Sequence, residues 1–263
     1  MDRRLSLSSW FFVLAGLLTF RSAAETPAAV APPAALKYEE PLSLSAEIYG
    51  RGKLGNELLF RFQRESKRSG EELDVRRDYN YPDGKPAAEE RVLYHGNSLI
   101  SYHLDDKQTG AIGDVRVRYE GNRNALELEY VKGGSHKKRT EVLKDNTLTS
   151  DMVGPFLSEH WDALAHGTKV SCRYIVVSRV ETVGFTFVKE SASIWHGQRV
   201  LVVRMEPTSK VISLLVDPLV FVMESIPPHR VLQYTGRTTP KIIAGTSWKE
   251  LDAVTVFNWD TAR

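Results

Sequence analysis

Residues 91–102 read Arg-Val-Leu-Tyr-His-Gly-Asn-Ser-Leu-Ile-Ser-Tyr, and this stretch decides the fold. Its two ends, Arg91 to Tyr94 and Leu99 to Tyr102, are short runs rich in strand-favouring side chains. Between them, Gly96 and Asn97 tolerate the positive φ of a tight turn, so the stretch predicts a β-hairpin.

The same pattern recurs downstream. Val115 to Tyr119 and Leu126 to Tyr130 flank Glu120-Gly-Asn-Arg-Asn124, and Gly133-Gly134 supplies another turn. Upstream, Leu42, Leu44, Ala46 and Ile48 alternate with polar residues, and Leu58, Phe60 and Phe62 alternate with Arg61 and Gln63. Period-two alternation is the mark of a half-buried strand. Ser66 to Gly70 is expected to turn the chain, with Glu71 to Tyr79 a more polar strand beyond it. Strands joined by short turns at roughly ten-residue spacing predict an antiparallel meander. The two Gly-Asn hairpins are alike, but no longer repeat points to a propeller or solenoid.

Ser150 to Gly167 interrupts the strands. Pro155 suits a first helical turn, Ser150 or Asp151 suits the cap, and Gly167 suits a left-handed stop. The segment predicts the principal helix, at about 150–166, with Phe156, Leu157, Trp161 and Leu164 on one apolar face and His160 among them. Glu159, Asp162 and His166 fall on the opposite face.

Beyond it the strands become more apolar. Val183, Phe185 and Phe187 alternate with Gly184 and Thr186, Gly197 turns the chain into Val200 to Val203, and Val254 to Trp259 makes a last strand. Lys210 to Met223 is apolar on both faces, but Asp217-Pro218 interrupts it and its Val and Ile content favours strand over membrane helix. An antiparallel sheet usually keeps one face in water, so two apolar faces require cover. The sheet curling on itself is the favoured cover, and a cavity that holds an apolar ligand is the next.

The amino end reads as a secretory signal peptide. Arg3 and Arg4 precede the short apolar run Trp10 to Phe20, and Ser22-Ala23-Ala24 supplies the small residues of a cleavage site, predicted after Ala24. The run is too short to span a bilayer, and no cysteine follows it to carry a lipid anchor. Residues 25–36 (ETPAAVAPPAAL) form an Ala/Pro-rich tether, and 37–263 form a single β-rich domain. Residues 1–24 carry three of the 35 Lys and Arg and one of the 33 Asp and Glu, so the 239 that remain balance at 32 of each. That balance argues against a nucleic-acid partner and against a polybasic membrane mode. Cys172 is the only cysteine, so an ordinary core must hold the fold. It shares a strand face with Val170, Tyr174 and Val176 and reads as a buried structural thiol.

Signatures of common catalysis are missing: there is no G-x-S-x-G elbow, H-E-x-x-H pair or phosphate-binding glycine loop. His160 reads as a core histidine bonded to a backbone carbonyl in preference to a general base. Asp162 and His166, at i and i+4, suit the helix dipole better than a metal ion, for which no second ligand cluster exists. Arg204 and Glu206, opposite charges on one side of a strand, either pair with each other or join Arg179 and Asp217 as a polar rim at a cavity mouth.

The run through His160-Trp161-Asp162, Val177-Ser178-Arg179, Met205 to Ser209, Leu215 to Pro218 and Tyr234 to Arg237 resembles an uncharacterised family of exported bacterial proteins, over roughly residues 90–241. That family distantly resembles the LolA/LolB-like lipoprotein-carrier fold, in which a curved antiparallel sheet wraps a helical plug. The resemblance implies no catalytic residues. The expected molecule is mainly β, a curved antiparallel sheet, half-barrel or barrel-like, with one principal α-helix packed on it. Its expected role is non-catalytic binding of an apolar or lipid-like ligand in the bacterial envelope, periplasmic or secreted, lined by Phe156, Trp161, Phe185, Phe187, Leu214, Val216 and Phe221. The alternatives are a structural or interaction protein of the envelope with a self-filled core, and a hydrolase-type enzyme using His160 or Asp162/His166. No cofactor or metal is expected, and no transmembrane segment after cleavage.

Overall fold

The computed structural model describes residues 40–120, 123–209 and 217–260. The signal peptide, the tether, Leu214 and Val216 therefore lie outside the described residues. Eight strands form the first arm: β1 (Ser43–Tyr49), β2 (Leu58–Ser69), β3 (Glu72–Asn80), β4 (Pro86–His95), β5 (Ser98–Asp106), β6 (Ala111–Glu120), β7 (Arg123–Lys132) and β8 (Ser135–Val142). After the two-residue β9 (Thr147–Leu148) come a 3-10 turn (Ser150–Met152) and the helices α1 (Val153–Glu159) and α2 (Trp161–Ala165). The second arm is β10 (Val170–Val176), β11 (Glu181–Trp195), β12 (Gln198–Pro207), β13 (Leu219–Glu224), β14 (Val231–Ala244) and β15 (Ser247–Asn258).

All belong to one sheet in the order β8 to β1, then β15 down to β9. The ladder is antiparallel except for the short β9–β10 pair. The chain thus winds outward along one arm, crosses through the helical segment, and returns to pair β15 with β1. The expected curved antiparallel meander is what forms.

The sheet curls until its arms meet. Gly113 on β6 lies against Val177, in a 3-10 turn after β10; a Cβ at Gly113 would sit 2.7 Å from Val177 Cγ2. Glu141 on β8 accepts hydrogen bonds from the Thr182 amide (3.1 Å) and hydroxyl (2.7 Å) on β11. The β5–β6 turn reaches β14: Gln108 donates to the Lys241 carbonyl at 2.9 Å and accepts from its amide at 2.7 Å, and the Lys241 ammonium lies 2.6 Å from Asp106. Because Val177 is β-branched and stiff, Gly113→Ala is expected to cost about 1–3 kcal/mol in urea unfolding, the usual range for overpacking.

The face toward the helices holds most of the core. Phe156, Leu157 and Leu164 pack with Phe185, Phe187, Val203 and Phe221; a second cluster joins Val92, Val115 and Leu128 to Ile175 and Val177; a third gathers Ile48, Phe60, Phe62 and Leu251. The opposite face of the second arm carries a smaller cluster, Val200, Val222 and Leu232, covered by Trp195 and Trp259. Within the described part of the two-faced run, Phe221 and Met223 join the inner cluster and Val222 the outer one; residues 210–216 lie outside the described residues.

Three local expectations need correction. The polar run Ser66–Ser69 continues β2, since Ser69 pairs with Glu72 and Gly70 turns the chain at φ 61°. Short hydrophilic residues alone did not mark the turn. The predicted helix is a 3-10 turn followed by two α-helices, and the break between α1 and α2 falls at His160, which leaves helical geometry at φ −96°, ψ 14°, its ring nitrogen 2.9 Å from the Phe156 carbonyl. Neither Ser150 nor Asp151 acts as a cap; both side chains are committed to the sheet. The left-handed stop at Gly167 forms as read, at φ 82°.

Candidate functional site

The most unusual chemistry lies inside the sheet, and consecutive strands build it by register. Leu44, Arg64, Arg77, Glu90, Leu104 and Gly113 face one another in a single cross-strand row from β1 to β6. Arg64 follows the inward series Phe60 and Phe62, Arg77 stands between Val75 and Tyr79, and Glu90 between Ala88 and Val92. Three charges thus occupy positions that the period-two pattern assigns to the core.

The 3-10 turn docks onto this row. Arg64 binds Asp151 through two nitrogens, at 2.7 and 3.2 Å, and donates to the Pro41 carbonyl at 2.7 Å. Their side chains are 4% and 5% exposed, so the pair is desolvated. Tyr94 donates to Asp151 at 3.2 Å. Arg77 donates to Glu90 at 2.5 Å, Ser150 donates to Glu90 at 2.8 Å, and Thr239 from β14 caps the other Glu90 oxygen. Burial pushes the Asp151 pKa upward, but the adjacent Arg64 guanidinium outweighs it and holds the carboxyl below its ordinary value.

A small cavity of about 40 Å³ opens beside this network, lined in part by Glu40, Tyr94, Asp151 and Pro155. It has room for water rather than for an acyl chain. Sequence reasoning missed Arg64, Arg77 and Glu90 as a group, although a charge in the inward phase of three consecutive strands was legible.

Of the residues expected to line an apolar cavity, the described ones, Phe156, Trp161, Phe185, Phe187 and Phe221, pack in one cluster. Phe187 is fully buried, with ring centroids 5.8 Å from Phe156 and 6.0 Å from Phe221, and Phe185 meets Tyr174 edge-on. Trp161 is half-buried and stacks on the His229 imidazole, centroids 4.0 Å apart. Of the two readings of the charged residues, the mutual pairing of Arg204 and Glu206 is the one seen. Arg204 pairs with Glu206 at 3.5 Å, and β12 alternation turns both away from the inward Val203 and Met205. Arg179 pairs with Glu181 at 2.6 Å, and Asp217 is exposed.

The histidine candidates are occupied by backbone. His160 bonds the Phe156 carbonyl, and His166 Nδ1 meets the carbonyl of Asp162, not its carboxylate, at 2.6 Å. Cys172 is buried on the same face as Val170, and burial pushes its pKa up to about 12. Native protein at pH 8 is therefore expected to resist iodoacetamide and to react stoichiometrically once unfolded, as read by intact mass.

No family model matches the chain, and no curated protein matches it. Among solved structures, the chain is similar to a beta-barrel-like protein of domain of unknown function DUF1849 from Brucella abortus, with a TM-score of 0.40 and 12% identity over 86% of this chain and 100% of that one.

Proposed function

We propose that this is a non-catalytic protein exported to the bacterial envelope, one that binds through its outer surface while its interior is filled by its own plug. The carrying observation is the docking of the 3-10 turn and α1 into the curled sheet, through Asp151 on Arg64 and Phe156 on Phe187. An apolar ligand held inside the sheet would need the space that these packed side chains take. Export is supported by the sequence of residues 1–24, and non-catalysis by the commitment of His160 and His166 to backbone carbonyls.

An environment-sensitive fatty-acid probe tests the reading. Titrated with the probe, the protein is expected to give no saturable fluorescence change. Saturable one-to-one binding that Phe187→Leu weakens without unfolding the protein would instead favour the expected internal ligand.

A further inference from the structure

The face of the sheet turned away from the plug carries an open trough of about 850 Å³, within the range of roughly 300–1,000 Å³ usual for ligand sites. Its floor is built by register: Asn80, Arg61, Glu47 and Val256 follow one another across β3, β2, β1 and β15. Gln63 and Ser45 continue the floor one pleat along. One wall is aromatic, with Trp195 and Trp259 over the small cluster of Val200, Val222 and Leu232. Trp259 is fixed there: its indole nitrogen donates to the Val231 carbonyl at 2.8 Å, and the Arg230 guanidinium lies over its ring at 5.2 Å. Arg230 in turn binds Glu224 through two nitrogens, each at 2.7 Å. Trp195 is half-buried beside the end of the β11–β12 hairpin.

We infer that this trough binds an uncharged polysaccharide chain. The other polymers fit it poorly, each for a physical reason. An extended polypeptide adds to a sheet through an open edge strand, but β1 and β15 are central, and their ladders are already paired on both sides. A polyanion needs a basic surface, whereas the lining has three acids (Glu47, Glu224, Asp260) and two arginines (Arg61, Arg230). An acyl chain would strip water from the charged Glu47 and Arg61, whose hydrogen bonds go to the neutral Tyr49 hydroxyl and Pro82 carbonyl. A chain of neutral sugar rings meets all three conditions. Its hydroxyls exchange hydrogen bonds with the carboxylate, guanidinium and amide groups of the floor, and its apolar ring faces lie against Trp195. The site is on the opposite face from the plug, so it holds whether or not the interior is self-filled.

The test is calorimetric titration of the protein with chitohexaose and with cellohexaose, both uncharged β-linked chains. Saturable binding of at least one is expected. Trp195→Ala should weaken it about tenfold, in line with the loss of one aromatic contact, and Trp195→Phe should restore part of it. Arg61→Ala is the second variant, since that exposed side chain holds only the Pro82 carbonyl at 2.7 Å and its loss should leave the unfolding midpoint unchanged. The inference is overturned if neither oligosaccharide binds at millimolar concentration, or if both alanine variants bind as tightly as the parent. It is equally overturned if only an unfolded polypeptide, such as carboxymethylated casein, is bound.

Discussion

Asp151→Ala is expected to destabilise the protein by about 3–5 kcal/mol, the range for breaking a buried ion pair from one side. The loss comes less from the attraction removed than from the charge stranded. Arg64, 4% exposed, would keep its guanidinium in the core with the weaker attraction of Glu40 in place of Asp151, and the Pro41 carbonyl and Ser66 hydroxyl as acceptors. A paired change, Arg64→Met with Asp151→Leu, is therefore expected to recover much of the stability, since neither member of the pair then leaves the other charged in the core. Equilibrium unfolding in urea distinguishes the two variants.

The same carboxylate sets an acid limit. Its folded-state pKa lies below the ordinary value, as does that of Asp106 beside Lys241. The unfolded chain therefore binds protons more readily than the folded one as the pH falls toward roughly 4. The stability these groups contribute is complete above that pH and is lost as the pH drops through their folded values. Asp151→Asn should accordingly show a shallower loss of stability than the parent between about pH 5 and pH 3.

Phe187→Ala is expected to cost about 3–5 kcal/mol as well, by the different mechanism of an unfilled cavity. The ring is fully buried between Phe156 of α1 and Phe221 of β13, so its loss leaves a hole that two rigid strands cannot close. Phe187→Leu retains most of the volume and is expected to cost less than about 1.5 kcal/mol. A loss below about 0.5 kcal/mol for the alanine variant, typical of a surface position, would mean that α1 is not seated on the sheet.

Much of this architecture is legible in the sequence. The turns at Gly96, Gly133-Gly134 and Gly197 have the positive φ that their composition demanded, and β4 through β8 follow from them. Cys172, Phe156 and Leu164 are buried on the faces that periodicity assigned. What escaped has a common physical cause. Period-two alternation identifies which residues point inward, but not which inward residues become neighbours. Arg64, Arg77 and Glu90 are 13 residues apart in each step, and only the ladder register makes one row of them. Asp151 likewise reads as a cap, because its partner Arg64 lies 87 residues away. The trough escaped for the same reason, being assembled from strands at both ends of the chain.

The central claim is that the plug, not a ligand, fills the curled sheet. Native mass spectrometry of the protein purified from its own host tests it most directly. The expected spectrum holds the polypeptide with no lipid bound, unchanged when the protein is unfolded and its solvent extract examined. A stoichiometric lipid adduct, released on unfolding and absent after Phe187→Ala, would contradict the account.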